Sequence, residues 1–174
     1  STVRSRFIKD LQPLVADRYA SLSGGRENVS IDYRTDLSKG SLKDILKASM
    51  DRDHVMRYTT AGIQRDDFVF EMDGFLIRRC GSQGQQKSFL VALKLAQYDI
   101  MRGVYGFPPI LLLDDVFDKL DSVRGDNLIS LVANDQFSQI FITDTNRERL
   151  MRVLGQIGKE YKMFNVDNGV VNCE

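Results

Sequence analysis

The stretch FPPILLLDDVFDKLD, Phe107 to Asp121, decides how the rest of this sequence is read. A Pro-Pro pair opens it, Ile110 to Leu113 form an unbroken apolar run, and Asp114 and Asp115 follow at once. A short apolar run after a breaker reads as a strand covered on both faces, the kind found inside parallel sheets. Ligands of such sheets gather at the carboxyl ends of the strands, so the acidic pair stands where chemistry is usually done. An ionised carboxylate out of water is costly unless a metal or hydrogen bonds compensate. The pair therefore has two readings: ligands for a cation, or a strand end emerging into solvent with Asp115 in a turn.

Toward the C-terminus, Ser122 to Ala133 carries a helical stripe of Val123, Leu128, Leu131 and Val132, and Ile140 to Thr143 is a second short apolar strand. Strand, helix and strand in that order make a right-handed parallel crossover. Thr145 and Glu148 have the spacing of a capping box opening a helix over 146–157. A last hairpin, Met163–Val166 with Val170–Val171, turns at Asn168-Gly169.

Toward the N-terminus, residues 87–102 are apolar almost all round, as in a buried helix. The glycine-rich GSQGQQKS of residues 81–88 leads into it, after a hairpin of Phe68–Met72 and Phe75–Arg79 that turns at Asp73-Gly74. Ser41 to Arg57 returns to helical spacing with an outward face charged in both signs. Val29 to Tyr33 alternates as a strand, and residues 3–22 form a helical stripe that Pro13 is expected to bend or split.

The chain has 174 residues and is 43% hydrophobic, enough for a real core in one domain or one domain with a small appendage. Lys plus Arg equals Asp plus Glu at 24 each, so any nucleic-acid footprint must be local. Cys80, Cys173 and the single His54 have no metal-ligand spacing, which excludes a zinc site and points to a reduced, cytoplasmic setting. Cys80, at a strand end before the glycine loop, is expected to be partly buried. No apolar run approaches the roughly 20 residues of a membrane span. The chain does not begin with methionine, which reads as a fragment of something longer.

GSQGQQKS also has two readings. Ser82 with Gln85 has the spacing of a capping box. The same hydroxyl, free backbone N–H groups and the positive end of a buried helix would make an anion site. Both can hold at once. The phosphate-cradling pattern GxxxxGK[ST] is absent, and the nearest imitation, Gly155 to Glu160, has the wrong spacing and follows a helix.

RDDF at 65–68, QGQQKSFLVALKLAQ at 83–97, PILLLDDVFDKLD at 109–121 and IFITDT at 140–145 together resemble the C-terminal half of an ABC-type ATPase of the SMC-like class, in particular the RecF family of bacterial DNA replication and repair ATPases. The likeness is tightest over residues 65–121. It implies an α/β fold: the C-terminal part of an ABC-type ATPase head, with parallel strands and helices, plus a helical arm and β-hairpins. Residues 1–64 would be the helical arm (lobe II) region and 65–174 the signature-helix, Walker B and D-loop part. The phosphate loop would lie in an N-terminal half not present in this sequence.

Carried over residue by residue, the resemblance implies that Asp114 holds Mg²⁺ and that Asp115 polarises the attacking water, in a place where most ABC ATPases have glutamate. Ser82, Gln83, Gly84 and Gln85 would reach the γ-phosphate of ATP held by the opposite subunit. Asp121 would close the D-loop across the dimer, and Asp144 falls near the switch histidine of other ABC proteins. Asp144 has a second reading, as a loop residue helping to cap the following helix. Leu22 to Arg26 spells an ABC-type signature more faithfully, but it follows a helix and precedes a strand, so its glycines read as a helix C-cap and turn. Arg65-Asp66-Asp67 reads as a salt-bridge cluster. The implied partners are double-stranded DNA, a second copy bound through ATP, and recombination-mediator proteins of the RecR/RecO type, with no membrane. The competing reading is a non-catalytic DNA- or protein-interaction domain.

Overall fold

The computed structural model describes residues 2–134, 136–157 and 160–173. Helix α1 (Thr2–Ser23) buries Ile8, Leu11, Val15, Tyr19 and Leu22, a single stripe three or four residues apart. It runs unbroken through Pro13, so proline does not split it. Pro13 and Lys9 both lie on the exposed side, so water can take the Lys9 carbonyl that proline leaves without a donor. The helix ends at Gly24 and Gly25, both with positive φ, and Gly25 N donates to Ala20 O at 2.9 Å. The LSGGR stretch is thus a C-cap.

Strand β1 (Val29–Arg34) pairs antiparallel with β2 (Asp67–Met72), and β2 with the two-residue β3 (Phe75–Leu76) across Asp73-Gly74. The second hairpin arm is shorter than its sequence suggested. Ile77 turns into the core, and residues 77–80 coil into the one-turn helix α3 (Ile77–Cys80), closed by Gly81 N donating to Ile77 O. Cys80 consequently sits on the outer side and is exposed, not partly buried. Between β1 and β2 stands α2 (Leu42–Met56), capped by Ser41, with only Ser49 buried.

Helix α4 (Gln83–Tyr105) is the central element, burying Phe89, Val91, Ala92, Leu95, Ala96 and Tyr98. Strand β4 (Leu111–Asp114) pairs in parallel with β5 (Ile140–Thr143), and α5 (Ser122–Val132) connects them. The run at 110–113 is covered on one face only: Leu111 and Leu113 are buried, whereas Leu112 is 70% exposed and Ile110 60%. Helix α6 (Arg147–Ile157) follows, its first turn capped by the Asn146 carboxamide accepting from Arg149 N at 2.9 Å, one residue past Thr145. Gly158 and Lys159 of the imitation phosphate loop lie outside the described residues. The chain closes with β6 (Phe164–Asp167) and β7 (Val170–Cys173), paired antiparallel around Asn168-Gly169.

One core joins α1, α4 and α5 with Leu111, Leu113, Phe117 and Phe137, and it takes in Val29, Ile31 and Met72 of the antiparallel sheet. This core draws side chains from both sides of residue 64. Arg18 adds a buried tie from α1 to α4, donating to both carboxylate oxygens of Asp99 at 2.8 Å. Helix α2 and its flanks stand away from this core, with Leu42, Leu46, Met50, Val55 and Met56 open to solvent, and so does the β6–β7 hairpin, whose strand residues are all exposed. Among the described residues no helix is long and apolar enough to cross a membrane.

Candidate functional site

The carboxyl end of β4, the first turns of α4 and the start of α5 come together at one edge of the molecule. Asp114 closes β4, and its carboxylate accepts a hydrogen bond from the Thr143 hydroxyl, its parallel partner on β5. The same hydroxyl oxygen accepts from Asp115 N at 3.1 Å. Both aspartates are exposed, so neither bears the desolvation cost that their place in the sequence raised. Asp115 has φ +43, a left-handed conformation that aspartate tolerates better than most residues. This φ turns the chain sharply out of the strand, and Val116 and Phe117 then pass back into the core.

Ser82 and Gln85 form the capping box their spacing implies: Gln85 N donates to Ser82 Oγ at 3.2 Å and Ser82 N to Gln85 Oε1 at 2.8 Å. Ser82 and Gln83 are exposed, while Gly84 and Gln85 are half-buried. Gly84 lies against the loop after β4, where a Cβ at this position would sit 3.0 Å from Lys119 O. One turn later Lys87 Nζ donates to Asp115 O at 2.8 Å. The glycine-led turn and the acidic strand end, 29 positions apart in sequence at their nearest, are thus neighbours through backbone contacts.

Asp121 is the N-cap of α5, accepting from Arg124 N at 2.8 Å, with its side chain 55% exposed. Asp144 is drawn away from the acidic pair. Its fully covered carboxylate accepts from Arg149 Nε at 2.8 Å, Arg149 Nη2 at 2.7 Å and Asn146 N at 2.7 Å. Burial would raise its pKa, but the guanidinium and the backbone N–H outweigh that and hold it below the usual carboxylate range. Of the polar residues at the end of β5, Thr143 reaches the aspartates, and Asp144, just beyond the strand, sits in the turn into α6.

Asp66 of the Arg-Asp-Asp cluster accepts from Arg4 Nη1 at 2.9 Å and from the Tyr33 hydroxyl, pinning α1 and β1 to the connector before β2. Arg65 lies over the Tyr58 ring at 4.9 Å and donates to Thr59 O. His54 is exposed on α2. Sequence reasoning passed over Lys87, whose only signal was its place one turn beyond the glycines, and Glu27 and Arg124, which gave none.

Among the described residues no group of three or more His, Cys, Asp or Glu side chains could hold a metal alone. A hard cation held by one aspartate, water and a nucleotide's phosphates would fit this donor set. Beside β4, Leu90, Lys94, Met101, Ile110, Leu112 and Asp114 line an open, mostly apolar groove of about 410 Å³.

No protein-family profile matches the chain. The DNA replication and repair protein RecF of Bacteroides fragilis is 46% identical over 97% of this chain, and that of Porphyromonas gingivalis is 41% identical over the same share. The chain is RecF-like, matching the C-terminal half of that protein. It spans about half the length of the curated RecF relatives it matches, 46% in both cases. A solved structure of the recombination mediator protein RecF with ATP, of the RecFOR pathway, superposes with a TM-score of 0.72 at 26% identity, covering 99% of this chain and 46% of that one. An SMC ATPase, from work on ATP-driven dimerization and DNA-stimulated activation, superposes with a TM-score of 0.62 at 13% identity, covering 99% of this chain and 87% of that one. The likeness to the SMC head is one of fold. The mixed α/β architecture with a parallel pair and flanking helices is that of RecF and SMC ATPase heads.

Proposed function

We propose that this chain supplies the signature-bearing half of a RecF-type DNA repair ATPase, and that its α4 and α5 edge closes on ATP carried by a second subunit. The observation that carries this reading is the Lys87–Asp115 bond together with the Gly84–Lys119 contact, which put the exposed Ser82 hydroxyl and the exposed Asp114 and Asp115 on one edge. A single helix end is a weak anion site. The Ser82 hydroxyl, which accepts the capping bond, keeps its proton to offer an anion, and the acidic strand terminus on the same edge offers oxygen ligands to a cation.

In this reading Ser82, Gln83, Gly84 and Gln85 face the γ-phosphate through the Ser82 hydroxyl and the first-turn N–H groups that the capping box leaves free. Asp114 holds Mg²⁺, whose charge would offset that developing on the phosphate oxygens. Thr143 fixes the Asp114 rotamer by donating to it. Asp115 orients the attacking water, and its side chain, one methylene shorter than glutamate, favours slow turnover and a long-lived ATP-bound dimer. Asp121 meets the partner across the interface. Asp144 acts indirectly, through Arg149, which also donates to Phe117 O at 3.4 Å and so steadies the loop behind Asp115. The bare face of β4, with Leu112 and Ile110, seats the half that carries the phosphate loop.

The dimer so closed binds double-stranded DNA and, with recombination mediators of the RecR/RecO type, supports recombinase loading. Helix α2 is the arm, since its exposed Lys43, Lys47 and Arg52 and its open apolar side chains leave it free for a partner. ATP turnover and ATP-dependent self-association of the full-length protein test the proposal. Asp114→Asn should lower turnover by on the order of 100-fold. Ser82→Arg should abolish association while ATP still binds the monomer. Unchanged turnover and association in both variants would leave the chain a non-catalytic interaction domain.

A further inference from the structure

The capping box fixes the Ser82–Gln85 turn on its own helix, but nothing in the box sets where that turn lies relative to α5. That relation is made by a buried polar chain. Gln85 uses Oε1 for the box and donates its other end, Nε2, to Glu27 Oε1 at 3.1 Å. The same Glu27 oxygen accepts from Arg124 Nη2 at 2.7 Å. Arg124 Nε in turn faces Asp121 Oδ2 at 3.3 Å, and its Nη1 lies 3.4 Å from the Tyr19 hydroxyl. The Arg124 side chain is 5% exposed and that of Glu27 14%.

Stability alone is a poor reason for this arrangement. A buried ion pair roughly breaks even against apolar replacements of the same shape, and its best-attested use is to fix register. Glu27 Oε2 is buried without a hydrogen-bond partner among the described residues, so the carboxylate is held through one oxygen only. Arginine suits the other end, because its planar fork donates in several directions at once, which a lysine ammonium on a flexible stem does with less definition. Glu27 lies in the loop between α1 and β1, 55 positions before Ser82 and 94 before Asp121 by their numbers, so it bridges two segments that share no local structure.

We infer that Glu27 and Arg124 are positioning residues which hold the Ser82–Gln85 turn and Asp121 in one register, so that both meet the opposite subunit's nucleotide as a unit. The inference rests on the reading of that edge as one side of a shared ATP site. Neither residue touches the nucleotide. Loss of the link leaves ATP binding by the monomer intact and weakens closure of the dimer.

The test uses the full-length protein, with ATP as the probe, and reads two quantities separately: ATP affinity of the monomer, and the protein concentration at which ATP drives self-association. Glu27→Gln puts an amide where two donors converge and should raise that concentration about tenfold or more with monomer affinity unchanged. Arg124→Lys should do the same. Arg18→Lys is the control, since it disturbs a comparably buried ion pair that ties α1 to α4 without touching the turn, and it should leave association unchanged. Equal losses in Arg18→Lys and Glu27→Gln would assign the effect to general destabilisation and overturn the inference. Normal association of Glu27→Gln alongside failure of Ser82→Arg would also overturn it, with the ATP-site reading intact. Normal association of all these variants would remove both.

Discussion

Gly84 is a point of close approach between the helix that carries the glycine-led turn and the loop that leaves β4, and replacing it with alanine sets two effects against each other. Alanine is favoured over glycine by about 1 kcal/mol in a helix interior, less in a first turn. Against that, the added Cβ would stand 3.0 Å from Lys119 O, a backbone atom. The loop cannot give way freely: Asp115 and Lys119 both have positive φ, Leu120 N donates to Phe117 O at 3.2 Å, and Val116 and Phe117 are buried. Overpacking of this kind costs about 1–3 kcal/mol, so Gly84→Ala should destabilise by up to about 2 kcal/mol. Gly103 supplies the comparison, because it lies on the same helix and a methyl group added there would have nothing within 4 Å. There the same substitution should stabilise by about 0.5–1 kcal/mol. Urea unfolding of the two variants side by side, read from midpoints at constant slope, measures the difference. If Gly84→Ala stabilises as much as Gly103→Ala, the loop does not rest on the helix and the proposed edge is not rigid.

Two further outcomes follow from the charges and thiols. Asp144 and Asp66 both titrate below the usual range. In each case burial, which would raise the pKa, is outweighed: by Arg149 and the Asn146 backbone N–H for Asp144, and by hydrogen bonds from Tyr33, Thr35 and Arg4 for Asp66. A depressed folded pKa gives stability that is fully present above the unfolded value of about 3.9 and is lost as pH falls through the lower folded one. The stability gap between the natural chain and Asp144→Asn should therefore be constant from about pH 5 to 7 and shrink below about pH 4. A gap that stays constant down to about pH 2.5, followed by denaturant midpoints, would count against the ion pair. Cys80 is exposed, so it should react with a thiol reagent in the native state; a Cys80 thiol that reacts only after unfolding would contradict the outward turn at 77–80.

Much of this architecture could be read from residue pattern. The alternation in Val29–Tyr33, the Asp73-Gly74 and Asn168-Gly169 turns and the apolar strands at 110–113 and 140–143 all appear where local chemistry puts them. Local pattern fails where a residue's partner lies far along the chain. Ile77 leaves the expected strand because the core draws it in. Leu112 belongs to a strongly apolar run, yet this chain provides cover on one side only. Ser82 and Gln85 were legible as a cap because both partners lie within one turn. Glu27, Arg124 and Lys87 were not, since the bonds that define them span 28 to 97 positions. For Asp144 the resemblance implied one role and its place before a helix another, and the bonds from Arg149 and Asn146 N that hold its carboxylate in the turn into α6 were not legible from pattern.

Helix α4 has a mechanical consequence of its own. Its 23 residues make a rod about 34 Å long, with the glycine-led turn at one tip and Tyr105 at the other, where that ring stacks on Phe107 at 5.9 Å. A tilt of about 5° pivoting at the first tip sweeps the far tip through about 3 Å, as the rod's length dictates. The aromatic pair is thus a pointer on a long arm, and its environment registers angular changes too small to see where they begin.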